Sequence, residues 1–366
     1  MNDSAAARAV PVPDLDRRVL SLDAFRGFVM LSMLLGNLGL EKLAGRPVAG
    51  FLYAQLNHVP WVGFHFEDLI LPAFLFIIGV SMAISDDKRR ARGQGRRERF
   101  LHALRRSAVL FALGFLLSWL ASGKPYWGAG VLQVLALSYL GGFLFLGLSL
   151  RGRAAAFGAL LFLYWLFIFL VPVYDAGRNS YEVFKNLVYY IDDAVTGQAT
   201  RWGYLYPTIT SVAVVVYGSI VGRLLVNRSG HRRFMRTLAI LGAGGVAAGL
   251  AISPVVPVIK RMFTPSYTLF TCGLATLLLL GFYWLIDVRG LKRWSFVFVV
   301  LGVNSIFVYM LNGLLSAWLM STGTTLLGPL AGWLGAWIDP AANLFRLAAE
   351  WLVCLWLLRN RIFFKL

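Results

Sequence analysis

Long apolar runs separated by short polar segments dominate the chain. Ten runs are about 18 to 24 residues long, which is the length that an α-helix needs to cross a bilayer. Backbone N–H and C=O groups in lipid must be paired within the protein, so we predict an all-α bundle of ten transmembrane helices. The predicted spans lie near 22–41, 66–85, 104–122, 129–150, 154–174, 205–225, 236–255, 266–286, 295–318 and 341–358.

Two further stretches bear on the number of spans. The apolar stretch 326–338 is shorter and contains Gly and Pro, so we predict a re-entrant or surface helix there, with an eleventh crossing as the disfavoured alternative. The first apolar run opens with Asp23 and Arg26 and has no clear small-residue cleavage site, which favours a retained span over a cleaved signal peptide. We therefore expect a polar tail at 1–19 and one transmembrane domain at 20–366.

Basic residues are distributed unevenly between the two sides of the predicted bundle. With ten spans, 26 of the 35 Lys and Arg residues fall on the side of the N-terminus. Such an excess marks the cytoplasmic side, so both termini are predicted to be cytoplasmic, in an inner membrane of the bacterial type. The loops 42–65, 175–204 and 256–265 then face the opposite, extracytoplasmic side.

Composition agrees with a membrane protein: 58% of residues are hydrophobic and the mean hydropathy is +0.69. The formal net charge of +18 is explained by membrane topology, and since no nucleic-acid-binding pattern accompanies it, we expect no nucleic-acid partner. Cys272 and Cys354 both lie in apolar runs and are predicted to be core residues, neither disulfide-bonded nor metal-bound.

Ionisable residues are concentrated just before the second span. His58, His65, Glu67 and Asp68 lie within eleven positions of one another, and ionisable groups at a membrane boundary are functional candidates. Pro72 has no N–H to donate to the carbonyl of Asp68, so a helix through both residues leaves that carbonyl unpaired beside the Asp68 carboxylate, as a local polar spot. His58 is a candidate nucleophile or general base with Asp68 as its partner; a hydrated loop histidine, a helix-start role for Asp68 and, less favoured, a metal site are the alternatives.

The first and fourth spans carry further polar residues. Asp23, Arg26 and Asn37 fall on one face of the first helix, with Asn37 near its outer end. Asp23 and Arg26 either form an ion pair that fixes the cytoplasmic end of the helix or line a donor cavity. Gln133 lies near the outer end of the fourth span, where its amide would bind a neighbouring helix or donate to a reacting oxygen.

Polar residues also mark two later segments. Lys260 and Arg261 lie beside the membrane on the side that is poor in basic residues, which indicates an anion-binding role. In the ninth span Ser305, Tyr309 and Asn312 share one helical face, and Asn304 is adjacent, so this face is expected to border protein or a cavity. The residues assigned to these roles are Asp23, Arg26, Gln133, Asn304 and Ser305 for the acyl donor, and Lys260, Tyr309, Asn312 and Trp61 for the acceptor.

Together these segments resemble the transmembrane acyltransferase family of heparan-alpha-glucosaminide N-acetyltransferase and its bacterial relatives. The resemblance is carried, in the family's order, by S-L-D-A-F-R-G (21–27), H-V-P-W-V-G-F-H-F-E-D-L-I-L-P-A-F-L-F-I-I-G-V-S (58–81), G-V-L-Q (130–133), F-Y-W-L-I-D-V (282–288) and G-V-N-S-I-F-V-Y (302–309).

The resemblance implies acetyl transfer from cytoplasmic acetyl-CoA to a sugar acceptor on the far side of the membrane. The family's essential histidine corresponds to His58, its paired carboxylate to Asp68 and its first-span asparagine to Asn37. His58 is then either acetylated transiently or acts as the base for direct transfer. The resemblance also suggests a homodimer. One departure is Val134, which stands where relatives carry a basic residue after G-V-L-Q.

Sequence reasoning leaves two classes of function open. The first is an acetyltransferase acting on the amine of glucosamine or another amino sugar, with acetyl-CoA as donor and no metal. The second is a transporter for a sugar or its derivative, because polar residues at mid-membrane depth also suit a permeation path.

Overall fold

The structure is a computed structural model that describes residues 19–36, 38–123, 130–174, 176–196 and 206–364, with the side chain of residue 196 excepted. The described part of the chain is helical and contains only isolated β-bridges. This agrees with the predicted all-α class. The α-helices are α1 (Leu20–Leu35), α2 (Pro47–Gln55), α3 (Ile70–Ala91), α4 (Arg96–Ser122), α5 (Val131–Leu144), α6 (Leu150–Leu170), α7 (Leu187–Thr196), α8 (Thr208–Val226), α9 (His231–Ile252), α10 (Pro265–Tyr283), α11 (Phe296–Val303), α12 (Ser305–Leu327), α13 (Ala331–Leu334) and α14 (Ile338–Arg359).

Each of the ten predicted spans corresponds to helical structure. Seven helical stretches among the described residues are long and apolar enough to cross a membrane, and the last of them, Ser305–Arg359, contains both α12 and α14. The shorter α1, and α5 with its 3₁₀ extension to Gly147, account for the other two. Both described ends of the chain, Val19 and Phe364, line one cavity, which is consistent with an even number of crossings.

The structure also differs from the sequence-based expectation in two respects, the continuity of the ninth span and the helices within the loops. The predicted ninth span is broken at Asn304 into α11 and α12, and the Asn304 side chain bonds to the backbone of Ile362 and Phe364 at 3.0 Å each. Two helices, α2 and α7, lie in loops that were predicted to face the extracytoplasmic side, and apolar-run length did not predict these helices. The stretch 326–338 forms short helical turns between α12 and α14, consistent with the non-spanning element predicted there.

Glycine allows the closest helix contacts in the bundle. The Gly218-x-x-x-Gly222 spacing in α8 packs on α3: a Cβ at Gly218 would lie 2.3 Å from the Phe76 carbonyl oxygen. In the same way α1 packs on α11, where a Cβ at Gly27 would lie 1.7 Å from the Phe298 carbonyl oxygen. These contacts hold α1 and α3, the two helices that flank the polar cavity described below.

The substitution Gly27→Ala is expected to destabilise the protein strongly, because a backbone carbonyl cannot move aside as a flexible side chain would. Overpacking of this kind costs about 1–3 kcal/mol or more. The matched control is Gly281→Ala in α10, where a Cβ would meet no atom within 4 Å. Thermal unfolding in detergent should show a clear loss for Gly27→Ala and none for Gly281→Ala; equal behaviour of the two variants would contradict the observed packing of α1 on α11.

Candidate functional site

His58 and Asp68 form a hydrogen-bonded pair at the start of the α3 segment. His58 lies in the loop after α2, and Asp68 lies in the 3₁₀ turn Phe66–Leu69 that leads into α3. The His58 Nδ1 atom is 3.0 Å from Asp68 Oδ1. The Asp68 side chain is fully buried, whereas that of His58 is 31% exposed. The carboxylate is therefore fixed inside the protein, and the imidazole remains reachable from outside.

Three further contacts fix the position of Asp68. Its Oδ2 atom accepts the backbone N–H of Val59 at 3.3 Å and of His65 at 2.9 Å. Its carbonyl, which Pro72 leaves without a helical donor, accepts the buried hydroxyl of Tyr267 from α10. The polar spot that Pro72 predicts is therefore present and filled, although the sequence did not indicate Tyr267 as the donor.

Lys260 lies against His58, across 202 positions of sequence. Its Nζ atom is 2.8 Å from each of the two ring nitrogens of His58 and 3.7 Å from Asp68 Oδ1. Burial lowers the pKa of Lys260 to about 8, and the negative charges of Asp68 and Glu67 oppose this shift. Sequence reasoning selected Lys260 as an anion-binding residue, and the structure adds that its ammonium group faces the imidazole.

The other residues of the loop surround this cluster. His65 Nδ1 is 2.9 Å from the carbonyl oxygen of Asn57. The Oε2 atom of Glu67 is buried and has no hydrogen-bond partner among the described residues. The indole N–H of Trp61 donates to the Tyr181 carbonyl at 2.7 Å, and its ring packs on an apolar cluster that includes Tyr164. Trp61 thus joins the loop to the 171–190 region.

A separate cavity of about 780 Å³ lies at the opposite end of α1 and α3. It is lined by four of the residues predicted from sequence, namely Asp23, Arg26, Ser305 and Tyr309. Arg26 bonds to Asp23 Oδ1 at 3.2 Å and to Ser81 Oγ at 2.7 Å. The two interpretations of the Asp23–Arg26 pair are therefore compatible, because the pair is formed and also lines the cavity.

The cavity is basic at its mouth, which we define as the end beside Lys88 near the C-terminus of α3. From there the cavity extends along α3 toward the N-terminus of the helix. Lys88, Arg106 and Arg228 join Arg26 in the lining, where Asp23 is the one carboxylate among the lining residues. On α3 the lining runs from Lys88 to Phe74, a rise of about 21 Å at 1.5 Å per residue. Phe74 follows Asp68 by six residues, so the lining ends about 9 Å along the axis from the His58–Asp68 pair.

The remaining residues predicted for the site lie elsewhere. Gln133 of α5 is buried against α4, with its Nε2 atom 3.5 Å from the Oγ atom of Ser118. Asn304 is held by the C-terminal segment, as described above. Asn312 donates to Glu350 Oε1 at 2.9 Å, and that carboxylate also bonds to Arg346. Asn37 lies outside the described residues. Cys272 and Cys354 are buried core residues, as predicted.

Sequence reasoning missed Ser81, Lys88, Arg106, Arg228 and Tyr267. The four cavity residues carry two usable signals: Lys88, Arg106 and Arg228 are basic, and Ser81 is the last residue of the 58–81 motif. Their convergence required the three-dimensional arrangement of α3, α4 and the α8–α9 connection.

Comparison with known proteins places this architecture in a family. A family model described as "Heparan-alpha-glucosaminide N-acetyltransferase, catalytic" matches residues 18–252. The human heparan-alpha-glucosaminide N-acetyltransferase is 26% identical over 365 aligned residues, which cover 81% of this chain and 53% of the human protein. The chain thus spans about half the length of this curated relative. The family match includes Arg26, His58 and Asp68 and covers well over half of the chain, so the chain belongs to the heparan-alpha-glucosaminide N-acetyltransferase catalytic family.

Proposed function

We propose that this protein moves an acetyl group from cytoplasmic acetyl-CoA to the amine of glucosamine or another amino sugar on the extracytoplasmic side. One observation carries the proposal: a reachable His58–Asp68 pair lies at one end of α3, and a basic cavity runs along the same helix from its other end. Family membership supports the acyltransferase class. The asymmetry of Lys and Arg supports the orientation.

The residues of the cavity fit an anionic donor. Lys88, Arg106 and Arg228 at its mouth would hold the phosphates of acetyl-CoA, because charge-assisted bonds from Lys and Arg to phosphate oxygens are strong. Deeper in the cavity the lining becomes apolar at Met30, Ile77 and Phe74, which suits an uncharged arm. Acetyl-CoA supplies an activated thioester when it is bound.

His58 and Asp68 would perform the transfer. Asp68 Oδ1 is an acceptor, so it favours the imidazole tautomer with the proton on Nδ1 and leaves the lone pair on Nε2. That lone pair either takes the acetyl group and passes it on, or takes the proton of the acceptor amine as it attacks the thioester. In both routes Asp68 stabilises the positive charge that develops on the ring.

The proposal is tested with purified protein, labelled acetyl-CoA and glucosamine. We expect CoA release that depends on glucosamine and labelled N-acetylglucosamine as product. If no amine or sugar acceptor stimulates CoA release, the acetyltransferase proposal fails. If vesicles that contain the His58→Ala variant still accumulate unmodified sugar, the transporter is favoured instead. Mass spectrometry of donor-treated protein for an acetyl group on His58 distinguishes the acyl-carrier route from direct transfer.

Removing charge at the cavity mouth should weaken donor binding. For Lys88→Gln/Arg228→Gln we expect the KM for acetyl-CoA to rise by about tenfold or more with kcat little changed, since lost ground-state binding appears in KM and a charged hydrogen bond contributes about 1.5–3 kcal/mol. The control Arg92→Gln/Arg293→Gln removes two exposed charges that do not line the cavity. Steady-state kinetics with varied acetyl-CoA measures both. An unchanged KM in the first variant would exclude this cavity as the donor site.

A further inference from the structure

The segment Ile362–Phe364, which follows α14, forms part of the wall of the basic cavity. Phe363 and Phe364 both line it, as does Val19 at the other described end of the chain. Neither phenylalanine was selected from the sequence, and both lie beyond residues 18–252, which the family model matches. Residues near a chain end are usually poorly ordered unless specific contacts tie them down. The contacts of this segment therefore bear on its role.

The end of α14 turns the chain sharply toward the cavity. Arg361 has a φ of +57°, in the left-handed region, and the N–H of Ile362 donates to the Leu357 carbonyl at 2.9 Å. A left-handed residue together with a bond that reaches back five positions is a common way of ending a helix. The segment thus leaves the axis of α14 immediately and does not continue along it.

Asn304, at the break between α11 and α12, holds the segment in place. Its side chain is buried, its Nδ2 atom donates to the Ile362 carbonyl at 3.0 Å, and its Oδ1 atom accepts the Phe364 N–H at 3.0 Å. One amide therefore satisfies the backbone on both sides of Phe363. The next residue, Ser305, lines the cavity. The bonds of Asn304 thus fix the segment at the edge of the cavity.

The ring of Phe364 is supported on one face and open elsewhere. It stacks on the Phe307 ring of α12, with the ring centroids 4.8 Å apart and the planes 16° from parallel. Phe307 is not among the described residues that line the cavity, whereas Phe364 is, and the Phe364 side chain is 51% exposed. Because Phe307 covers one face, the exposed half includes the opposite face. A supported ring with an open face is a platform for another planar ring.

We propose that Phe364 binds the purine ring of the acyl donor by stacking, an inference that rests on the proposed use of acetyl-CoA. The donor consists of an adenosine carrying phosphates and of a long uncharged arm that ends in the thioester. Lys88, Arg106 and Arg228 suit the phosphates, and the apolar lining toward Phe74 suits the arm. The adenine is the remaining part, and aromatic side chains bind bases through their π-faces. Phe364 supplies such a face in the same cavity.

The test is a binding measurement with purified protein in detergent and no acceptor. Labelled CoA is displaced with unlabelled CoA or with 4′-phosphopantetheine, which has the arm but no adenosine. For Phe364→Ala we expect the Kd for CoA to rise about tenfold, the scale of a lost base–aromatic stack, and the Kd for 4′-phosphopantetheine to stay unchanged. Phe364→Trp retains an aromatic face and should keep the wild-type Kd for CoA.

Ile362→Ala is the matched control. It shortens an exposed apolar side chain of the same segment that is not among the described residues lining the cavity, and the bonds of Ile362 to Asn304 and Leu357 are made by its backbone. Both ligands should bind this variant as they bind the wild type. Because Phe364 is half-exposed near the end of the chain, Phe364→Ala should fold, and its size-exclusion profile establishes this.

Two outcomes would overturn the proposal while leaving the proposed function intact. One is a Phe364→Ala variant that binds CoA as tightly as the wild type does. The other is a variant that loses affinity for CoA and 4′-phosphopantetheine equally, since that would indicate a disturbed cavity and not a lost purine contact. A wild-type protein that binds no CoA would contradict both proposals. CoA binding that depends on Phe364, without any acetyl transfer, would contradict the acetyltransferase alone.

Discussion

Replacing His58 with alanine is expected to slow acetyl transfer by about 10²–10⁴-fold, the contribution of a positioned acid or base. The side chain is 31% exposed, so its loss leaves no buried cavity and folding should be retained. Steady-state rates with saturating acetyl-CoA and glucosamine measure the effect. The KM for acetyl-CoA should change little, because His58 does not line the cavity proposed to bind the donor.

His65→Ala is the matched control for His58→Ala. His65 lies seven residues away in the same loop, and its ring contacts the Asn57 carbonyl, whereas its contact with Asp68 is made by the backbone, which the substitution retains. We expect His65→Ala to keep most of the activity. An inactive His65→Ala variant together with an active His58→Ala variant would contradict this assignment and would indicate His65 as the catalytic histidine.

Asp68→Asn is expected to cause a loss of similar size, about 10²–10⁴-fold, by a different route. The carboxylate accepts His58 Nδ1–H at one oxygen and the N–H groups of Val59 and His65 at the other. An amide has one acceptor oxygen and one donor NH₂ group, so it cannot serve both sides. It either presents a donor to His58, which reverses the tautomer and removes the lone pair from Nε2, or it loses the two backbone bonds.

Glu67→Gln controls for the removal of a neighbouring negative charge. Glu67 precedes Asp68 in the same turn, and its Oε2 atom has no hydrogen-bond partner in the described part of the chain. We expect the rate of Glu67→Gln to stay within several-fold of the wild type. Size-exclusion profiles of both variants establish that they are folded. Wild-type activity in folded Asp68→Asn would refute the assigned role of the carboxylate.

The sequence predicted the membrane-spanning helices well because their cause is local. A segment in lipid must satisfy its own backbone hydrogen bonds, so length and apolar character determine each span without reference to distant residues. The break at Asn304 was not predicted, since the compensating bonds come from Ile362 and Phe364, far along the chain. Helix α2 was missed because a nine-residue helix gives little signal.

The candidate site was predictable to the extent that its members are close in sequence. His58 and Asp68 are ten residues apart, and Pro72 predicts that the Asp68 carbonyl lacks a helical donor, whereas the donor itself, Tyr267, lies far along the chain. Lys260 stood out by its charge on the side poor in basic residues, but nothing local could identify His58 as its neighbour. In the same way, Asn312 was selected by its helical face, and its partner Glu350 became evident only from the packing of α12 on α14.

Transfer across the bilayer is tested most directly in sealed proteoliposomes, with glucosamine enclosed and labelled acetyl-CoA added outside. The proposed function predicts that labelled N-acetylglucosamine appears inside the vesicles and that CoA remains outside. The product should be absent with His58→Ala and retained with His65→Ala. Labelled product that forms only when both substrates are on the same side would contradict a site that joins a donor cavity at one end of α3 to His58 at the other.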